Sequence, residues 1–282
     1  MRAIAASIDL LDTDDQLVAQ ADYILSIVPP KDALATAQRV ATALQTDSRA
    51  HRSNPLYYLD LNAISPKLSR DIERLFDPLG ERVRFIDGGI IGGPPSCRDP
   101  QNPKSSWKVP SLPMSGQYKL SEAPKVGHEL AHLLNARHIG DNVGDASGLK
   151  MCFASLTKGF TALAIQSFTT AHQLGVLPEL KAELAARAPE ELQMAQFLTT
   201  MPPKAYRWVR EMEEISDTFA LEGGFGQDER IFSAVAAVYQ MISKDTDLGQ
   251  EIAEKRKRGQ TVDDVAGCVA EGLERRKARK TS

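Results

Sequence analysis

The strongest constraint on the fold lies in residues 21–95. Ala21–Val28 (ADYILSIV) is an apolar run with β-branched residues, closed by Pro29 and Pro30. It reads as a buried parallel strand that stops at prolines. Asp32–Leu44 follows, with Ala33, Leu34, Ala37, Val40, Ala41 and Leu44 on one side of a helix. Tyr57–Leu61 is a second strand. Ser65 and Pro66 then open a helix as N-cap and first residue, with Leu68, Ile72, Leu75 and Phe76 as its apolar face. Val83–Ile86 is a third strand. Strands joined through helices by short connections predict a parallel, doubly wound α/β sheet. Ligands of such sheets bind beyond the carboxyl ends of the strands. Pro29–Pro30, Asn62–Ala63 and Gly88–Gly93 all fall at that edge. Four glycines within six residues (Gly88, Gly89, Gly92, Gly93) exceed what one turn needs, and they point to close backbone approach to a ligand.

The flanking segments are read by the same rules. A short helical piece at the very start leads to an acidic turn and a short helix, Asp14–Gln20. Residues 96–113, rich in Pro, Ser, Asn and Lys, form a surface loop. Pro113–Tyr118 is a short strand, Leu120–Ala136 a helix with Ser121 as N-cap, and Arg137–Ile139 an edge strand. Asp141–Gln166 begins as a Gly-rich loop and becomes a long helix. Ala146, Leu149, Met151, Phe153, Leu156, Phe160, Leu163, Ala164 and Ile165 put apolar groups nearly all round it. A helix apolar on every face is expected to be buried on every face, with a partner subunit covering part of it as a homodimer. Lys150 sits about a turn inside its start. Such a lysine either snorkels to the surface or is held, partly buried, in a site where it can exchange a proton. The rest is helical, over 177–200, 203–222, 227–244 and 261–277. Two domains are expected, residues 1–143 and 144–282, the second all-helical.

Composition excludes several classes. A net charge of −3 lacks the basic excess of a general nucleic-acid binder. The basic runs EKRKR (254–258) and ERRKARK (274–280) read as solvated helix ends. Three distant cysteines give no disulfide framework and fit a reducing, cytoplasmic setting. No apolar run is long enough for a membrane span.

One motif offers a competing chemistry. HELAHLLNARH places His128 and His132 four residues apart on a helix with Glu129 between them, and His138 follows. This is the H-E-x-x-H pattern of a zinc peptidase, two imidazole ligands and a carboxylate base, with a third histidine at metzincin spacing. A helix covering a sheet accounts for the same residues, since Ala131, Leu133 and Leu134 supply its apolar groups.

Asp60–Pro66 (DLNAISP) resembles the D-x-S-T-x-x-P segment of the 3-hydroxyisobutyrate and 6-phosphogluconate dehydrogenase superfamily. Asp87–Gly93 resembles its D-A-P-V-S-G-G segment, and Gly144–Lys150 its G-x-G-x-x-x-K approach to a catalytic lysine. Across almost all 282 residues the chain is similar to the subgroup whose C-terminal domain is a phosphogluconate-dehydrogenase-like module of uncertain function. The resemblance implies a Rossmann-like parallel sheet, a long linking helix and an all-α domain. It implies Lys150 as proton-transfer residue, with Val28, Pro29, Asn62 and Ala63 lining NADP or NAD. Gly89, Ile91, Gly92 and Gly93 would meet a small-molecule substrate, and Arg210 falls where many members carry a second lysine. Ile91 stands at the position of a substrate-binding serine, Ala146 at that of a glycine and Ala154 at that of an asparagine, so a larger or less polar substrate is expected. The opening G-x-G-x-x-G segment is not in the sequence. The expectation is an N-terminally truncated sheet, beginning about 40 residues into the usual pattern. Three functions follow: an NAD(P)-dependent oxidoreductase, a cofactor-less relative, and a zinc peptidase.

Overall fold

A computed structural model describes residues 7–46, 49, 52–99, 101, 107–252 and 255–281. The first few residues, expected to start as a short helical piece, lie outside the described residues up to residue 6, as does part of the 96–113 loop. The described chain forms two compact units, Met1–Met151 and Cys152–Ser282.

The first unit is built on three parallel strands, β1 (Tyr23–Ser26), β2 (Leu56–Asp60) and β3 (Val83–Gly88). Their register makes rows across the sheet: Ile24, Tyr58 and Phe85 in one, then Leu25, Leu59 and Ile86 in the next. Successive residues point to opposite faces, and both faces are covered. Ile24, Tyr58 and Phe85 pack with Val18 of α1 (Asp14–Gln20), Ala37, Val40 and Leu44 of α2 (Ala33–Gln45), and Ile72 and Phe76 of α3 (Pro66–Phe76). Tyr57, Leu59 and Ile86 pack on the other side with Leu112, Met114, Leu120 and Ala131. Double-sided burial explains why β2 is apolar without alternation. Ser65 caps α3 through its hydroxyl, which accepts from the Leu68 N–H at 3.4 Å, and Pro66 follows as expected. Leu34 is the exception on α2 and lies exposed.

Past β3 the sheet departs from an all-parallel layout. A small hairpin of β4 (Ser96–Cys97) and β5 (Trp107–Lys108) occupies the expected loop. The next strand of the main sheet, β6 (Leu112–Ser115), then pairs antiparallel with β3. No helix intervenes between β3 and β6 among the described residues, so nothing requires the chain to cross back and re-enter parallel. β7 (Ala136–Gly140) runs parallel to β6 at the sheet edge, giving the order β1-β2-β3-β6-β7. The helix expected over 120–136 is only α4 (Gly127–Leu133), preceded by a short turn at Leu120–Glu122. Pro124 forces Ala123 into extended backbone (φ −69, ψ 145), and Lys125 is left-handed (φ 63). Ser121 therefore caps nothing. Asn135 (φ 53) ends the segment in the left-handed conformation that asparagine tolerates.

The boundary between the units lies inside α5 (Asp145–Gln173), a 29-residue helix closed by left-handed Gly175. Within its own chain α5 is covered on one side only. Met151, Ala154, Ala162 and Ile165 are buried, but Leu149, Phe153, Leu156 and Leu163 are 40–76% exposed. In the second unit, α6 (Leu177–Arg187) and α7 (Pro189–Ala195) replace one expected helix, because Ala188 before Pro189 leaves the helical region (φ −147, ψ 59). Then come α8 (Ala205–Leu221), α9 (Ile231–Asp245) and α10 (Val262–Thr281). Edge-on aromatic pairs, Trp208 with Tyr239 and Phe219 with Phe232, lock α8 to α9.

Candidate functional site

The carboxyl ends of β1, β2 and β3 finish in a polar row, Ser26, Asp60 and Asp87. Asp87 is fully buried. Its carboxylate accepts from the hydroxyls of Ser69 (2.8 Å), Ser115 (2.9 Å) and Ser147, and from the backbone N–H groups of Gly144 and Ser147 (both 3.0 Å). The Ser115 hydroxyl in turn accepts from the Ala146 N–H at 3.0 Å. The N–H groups that open a helix have no partner within it. Here a strand-borne carboxylate and a serine take three of them, and the negative charge suits the positive end of the helix dipole. The start of α5 is thereby tied to the edge of β3.

That tie determines where Lys150 lies, three residues beyond Ser147. A Cβ added to Gly89 would come 2.8 Å from Cβ of Lys150, 3.3 Å from its Cγ and 3.4 Å from the Ala146 carbonyl. Only glycine lets the segment after β3 pass this close to α5. Lys150 itself is half-buried. Gly92 is left-handed (φ 127), and Gly93 faces open space.

One expectation for this loop needs correcting. The N–H of Gly89 is bonded to the Pro113 carbonyl (3.1 Å) and that of Ile91 to the Ser111 carbonyl (2.9 Å). Neither is available to receive a ligand. Among the described residues the N–H groups of Ile90, Gly92 and Gly93 make no backbone bond of this kind.

Across the same edge, Asn62 is a clasp. Its side-chain carbonyl accepts the Val28 N–H at 2.7 Å, its amide donates to the Ser26 hydroxyl at 3.0 Å, and its own N–H reaches Asp60 at 3.0 Å. Val28 and Asn62 are thus brought together, with Val28's N–H already engaged. Pro29 is extended (φ −56, ψ 144) and half-buried, as is Ala63. Burial pushes the Asp60 carboxyl up to about 7; bonds from Asn62 oppose the shift and the Asp87 carboxylate adds to it. Its second oxygen is buried without a partner among the described residues.

Other sequence candidates fall elsewhere. Arg210 belongs to the helical unit, where its guanidinium bonds Glu213 (3.1 Å) and the buried Glu214 (2.5 Å). His128, Glu129 and His132 are exposed on α4, whereas His138 lies on β7 with its Nε2 3.0 Å from Asp141. The left-handed turn at Asn135 separates the two groups. No set of three or more His, Cys, Asp or Glu side chains suited to a metal occurs among the described residues. The geometry therefore gives the zinc-peptidase alternative no ligand set.

Sequence reasoning missed Lys158 of α5. Its ammonium is buried against Glu211 of α8 and sits 4.9 Å from the Trp208 ring centroid, and the Tyr239 hydroxyl donates to its carbonyl at 2.6 Å. Burial holds the amine below the usual lysine range, and Glu211 opposes that shift. A second lysine within an apolar helix was a readable sign of a buried partner. The partner itself, 53 residues away, was not readable.

Comparison with known proteins bears on the fold. The domain of unknown function DUF1932 matches residues 171–242, within the helical unit. An uncharacterized 28.5 kDa protein of Methanothermus fervidus, from the 5′ region of its 7S RNA, is 28% identical over 165 residues, 58% of this chain and 53% of that one. The chain thus spans about half the length of this curated relative. Among solved structures, a conserved hypothetical protein from Sinorhizobium meliloti superposes with a TM-score of 0.60 at 19% identity, covering 96% of this chain and 82% of the other. Mycobacterium tuberculosis 3-hydroxyisobutyrate dehydrogenase gives 0.58 at 15% identity, over 96% and 86%. A protein of unknown function noted for its similarity to 3-hydroxyacid dehydrogenases gives 0.53 at 24% identity, over 86% and 82%. The likeness is one of fold: a Rossmann-like sheet followed by a helical domain, as in the 3-hydroxyisobutyrate dehydrogenase structure. No helix among the described residues is long and apolar enough to cross a membrane.

Proposed function

We propose that the chain is an NAD(P)-dependent oxidoreductase acting on a hydroxy acid or a related carbonyl or imine, with Lys150 as the proton-transfer residue. The observation that carries this reading is the close approach of Gly89 to Lys150 at the carboxyl edge of the sheet. A lysine held against a glycine-bearing loop, where ligands of such sheets bind, suits transfer of a proton to or from a small polar substrate.

The fit of a dinucleotide is partial. The extended Pro29, the half-buried Ala63 and the clasped Asn62 make a firm edge that suits its nicotinamide-ribose end. Val28, Pro29, Asn62 and Ala63 would hold it. The sequence contains no G-x-G-x-x-G for the pyrophosphate. When bound, the cofactor supplies or accepts a hydride. Lys150 in its neutral form takes the substrate hydroxyl proton in the oxidising direction, and its ammonium returns it in the other. The N–H groups of Gly92 and Gly93 receive the acidic end of the substrate, while Ile91 gives the loop an apolar group. Arg210 is held by Glu213 and Glu214 within the helical unit.

The same reading includes a homodimer. Leu149, Phe153, Leu156 and Leu163 repeat at coiled-coil spacing along α5 with half-buried Phe160 between them, and a second copy would cover that seam. In sedimentation, Leu156→Glu is expected to yield monomer.

The deciding experiment monitors NADPH and NADH absorbance over a panel of short hydroxy acids and imines. Lys150→Ala is expected to abolish turnover and leave the circular dichroism unchanged. Turnover equal to the parent's would end the mechanism. A cofactor-less relative would instead show no saturable thermal stabilisation by either nucleotide at millimolar concentration.

A further inference from the structure

We propose that the carboxyl end of β2 carries a proton switch: Asp60 rests as a neutral acid beside the charged Asp87, and loss of its proton draws the Asn62 amide off Val28 and opens this edge of the sheet. This goes beyond the oxidoreductase reading and does not depend on it.

Asp60 and Asp87 are registered neighbours on adjacent parallel strands, so their side chains leave the same face of the sheet side by side. Asp60 is 1% exposed and Asp87 is fully buried. Their surroundings differ. Three hydroxyls and two backbone N–H groups converge on Asp87 and favour its carboxylate form. Asp60 receives the Asn62 N–H at 3.0 Å on Oδ1, and its Oδ2 is buried with no partner among the described residues. Two buried carboxyl groups this close do not both stay ionised, and the proton goes to the one with fewer donors. Burial, and then the Asp87 charge, push the Asp60 carboxyl up to about 7 against the opposing bonds from Asn62. Other charged groups on the elements around this row are Lys31 and Asp32 after β1, Arg70 and Glu73 on α3, and Asp145 and Lys150 on α5. The charge that bears on Asp60 is that of Asp87.

Once ionised, Asp60 needs further donors, and two groups are near enough to compete. One is the Tyr58 hydroxyl, buried without a partner among the described residues, two residues back on the same face. Its ring is packed by Phe76 and Phe85, with centroids 4.9 and 6.2 Å away, and is not free to swing. The other is the Asn62 amide. It already donates to the Ser26 hydroxyl at 3.0 Å, and Ser26 is the registered neighbour of Asp60 on β1. The amide is one planar group with its donor and acceptor at opposite ends. Turning the donor from Ser26 to Asp60 takes the carbonyl off the Val28 N–H, which it now accepts at 2.7 Å. The acid form of Asp60 therefore leaves the amide to Ser26 and Val28, and the ionised form competes for it.

The test follows hydrogen exchange of the Val28 N–H by NMR on the full chain at about pH 5 and about pH 8, with the intrinsic base-catalysed rate divided out. The acid form dominates at the lower pH and is lost as pH rises through about 7. Protection of Val28 is expected to fall at least about tenfold across this range. At pH 8 its exchange is expected to stay unchanged in mild urea, because a local opening exposes little surface. Asp60→Asn is expected to keep the low-pH protection at both values, and Tyr58→Phe to respond as the parent does. Equal protection at both pH values in the parent would overturn the proposal. So would exchange that rises with urea in step with the Tyr57 and Leu61 N–H groups, which bond the Asp22 and Ser26 carbonyls, since that marks unravelling of the sheet. Loss of the response in Tyr58→Phe would overturn it too, by making the phenol the responder. Should Asp60→Asn fail to fold, the parent and Tyr58→Phe still decide. No nucleotide or turnover is involved, so a failure here is separate from a failure of the dehydrogenase mechanism.

Discussion

The molecule begins two of its longer helices in opposite ways. At the start of α5, a buried carboxylate and a serine hydroxyl satisfy three backbone N–H groups, and two further serines bond that carboxylate. At the start of α8, the cap position holds Lys204, Arg207 follows, and no side chain caps the helix. Helix ends impose the same demand in both places. In the first the chain supplies its own anion, so geometry is fixed before any ligand arrives. In the second the chain supplies more positive charge, and its side chains leave the demand unmet. The first arrangement suits holding a reactive side chain in place.

The largest effect is expected at the first helix start. Asp87→Ala strips a buried network of its acceptor and is expected to cost about 3–5 kcal/mol in urea unfolding. A loss under about 1 kcal/mol would mean that the α5 start is held by other contacts, and the contrast with α8 would fail. Next is Gly89→Ala, whose added methyl meets Lys150 at 2.8 Å. Overpacking of this kind is expected to cost about 1–3 kcal/mol by thermal unfolding, and turnover, once detected, falls with it.

Asp60 sharpens the picture through pH. Its carboxyl is raised from 3.8 to about 7 in the folded state, chiefly by burial. Between those values the folded chain holds a proton that the unfolded chain has released. Stability therefore falls as pH rises through this window, by up to about 1.4 kcal/mol per unit, and levels off above it. Asp60→Asn is expected to flatten that slope in urea titrations at about pH 5 and about pH 8. An unchanged slope would show that Asp60 is not its source. The smallest effect belongs to α8. Removing Lys204 and Arg207 together is expected to change stability by less than about 0.5 kcal/mol, or to raise it. A loss of several kcal/mol would show that these cations have partners within the chain, making the two helix starts alike.

Much of the first unit was legible before any coordinates. Apolar runs, prolines and short connections gave the three parallel strands, and Ser65–Pro66 gave the start of α3. Where local chemistry ruled, the elements came out in place, as Asp14–Gln20 did. The overrun on α4 was avoidable, since Pro124 stood in plain view. Direction was harder: nothing in residues 89–111 says whether the next strand returns parallel or antiparallel. The candidate site was legible only in part. Gly89 and Lys150 were singled out, but Asp87's work depends on Ser69, Ser115 and Ser147, which lie 18, 28 and 60 residues away. The apolar girth of α5 was legible, but not which side its own chain covers, because apolarity along a helix does not say whether its own chain or another covers each side.

The Asn62 amide has a mechanical consequence. It grips Val28 and Ser26 with opposite ends of one planar group, while its own backbone N–H is anchored on Asp60. Two neighbouring strand tips are thus stitched into a single stiff plate. Any molecule that tugs at the Val28 tip also loads the Asp60 tip, and the edge yields as a sheet of cloth does at a seam, all together or not at all.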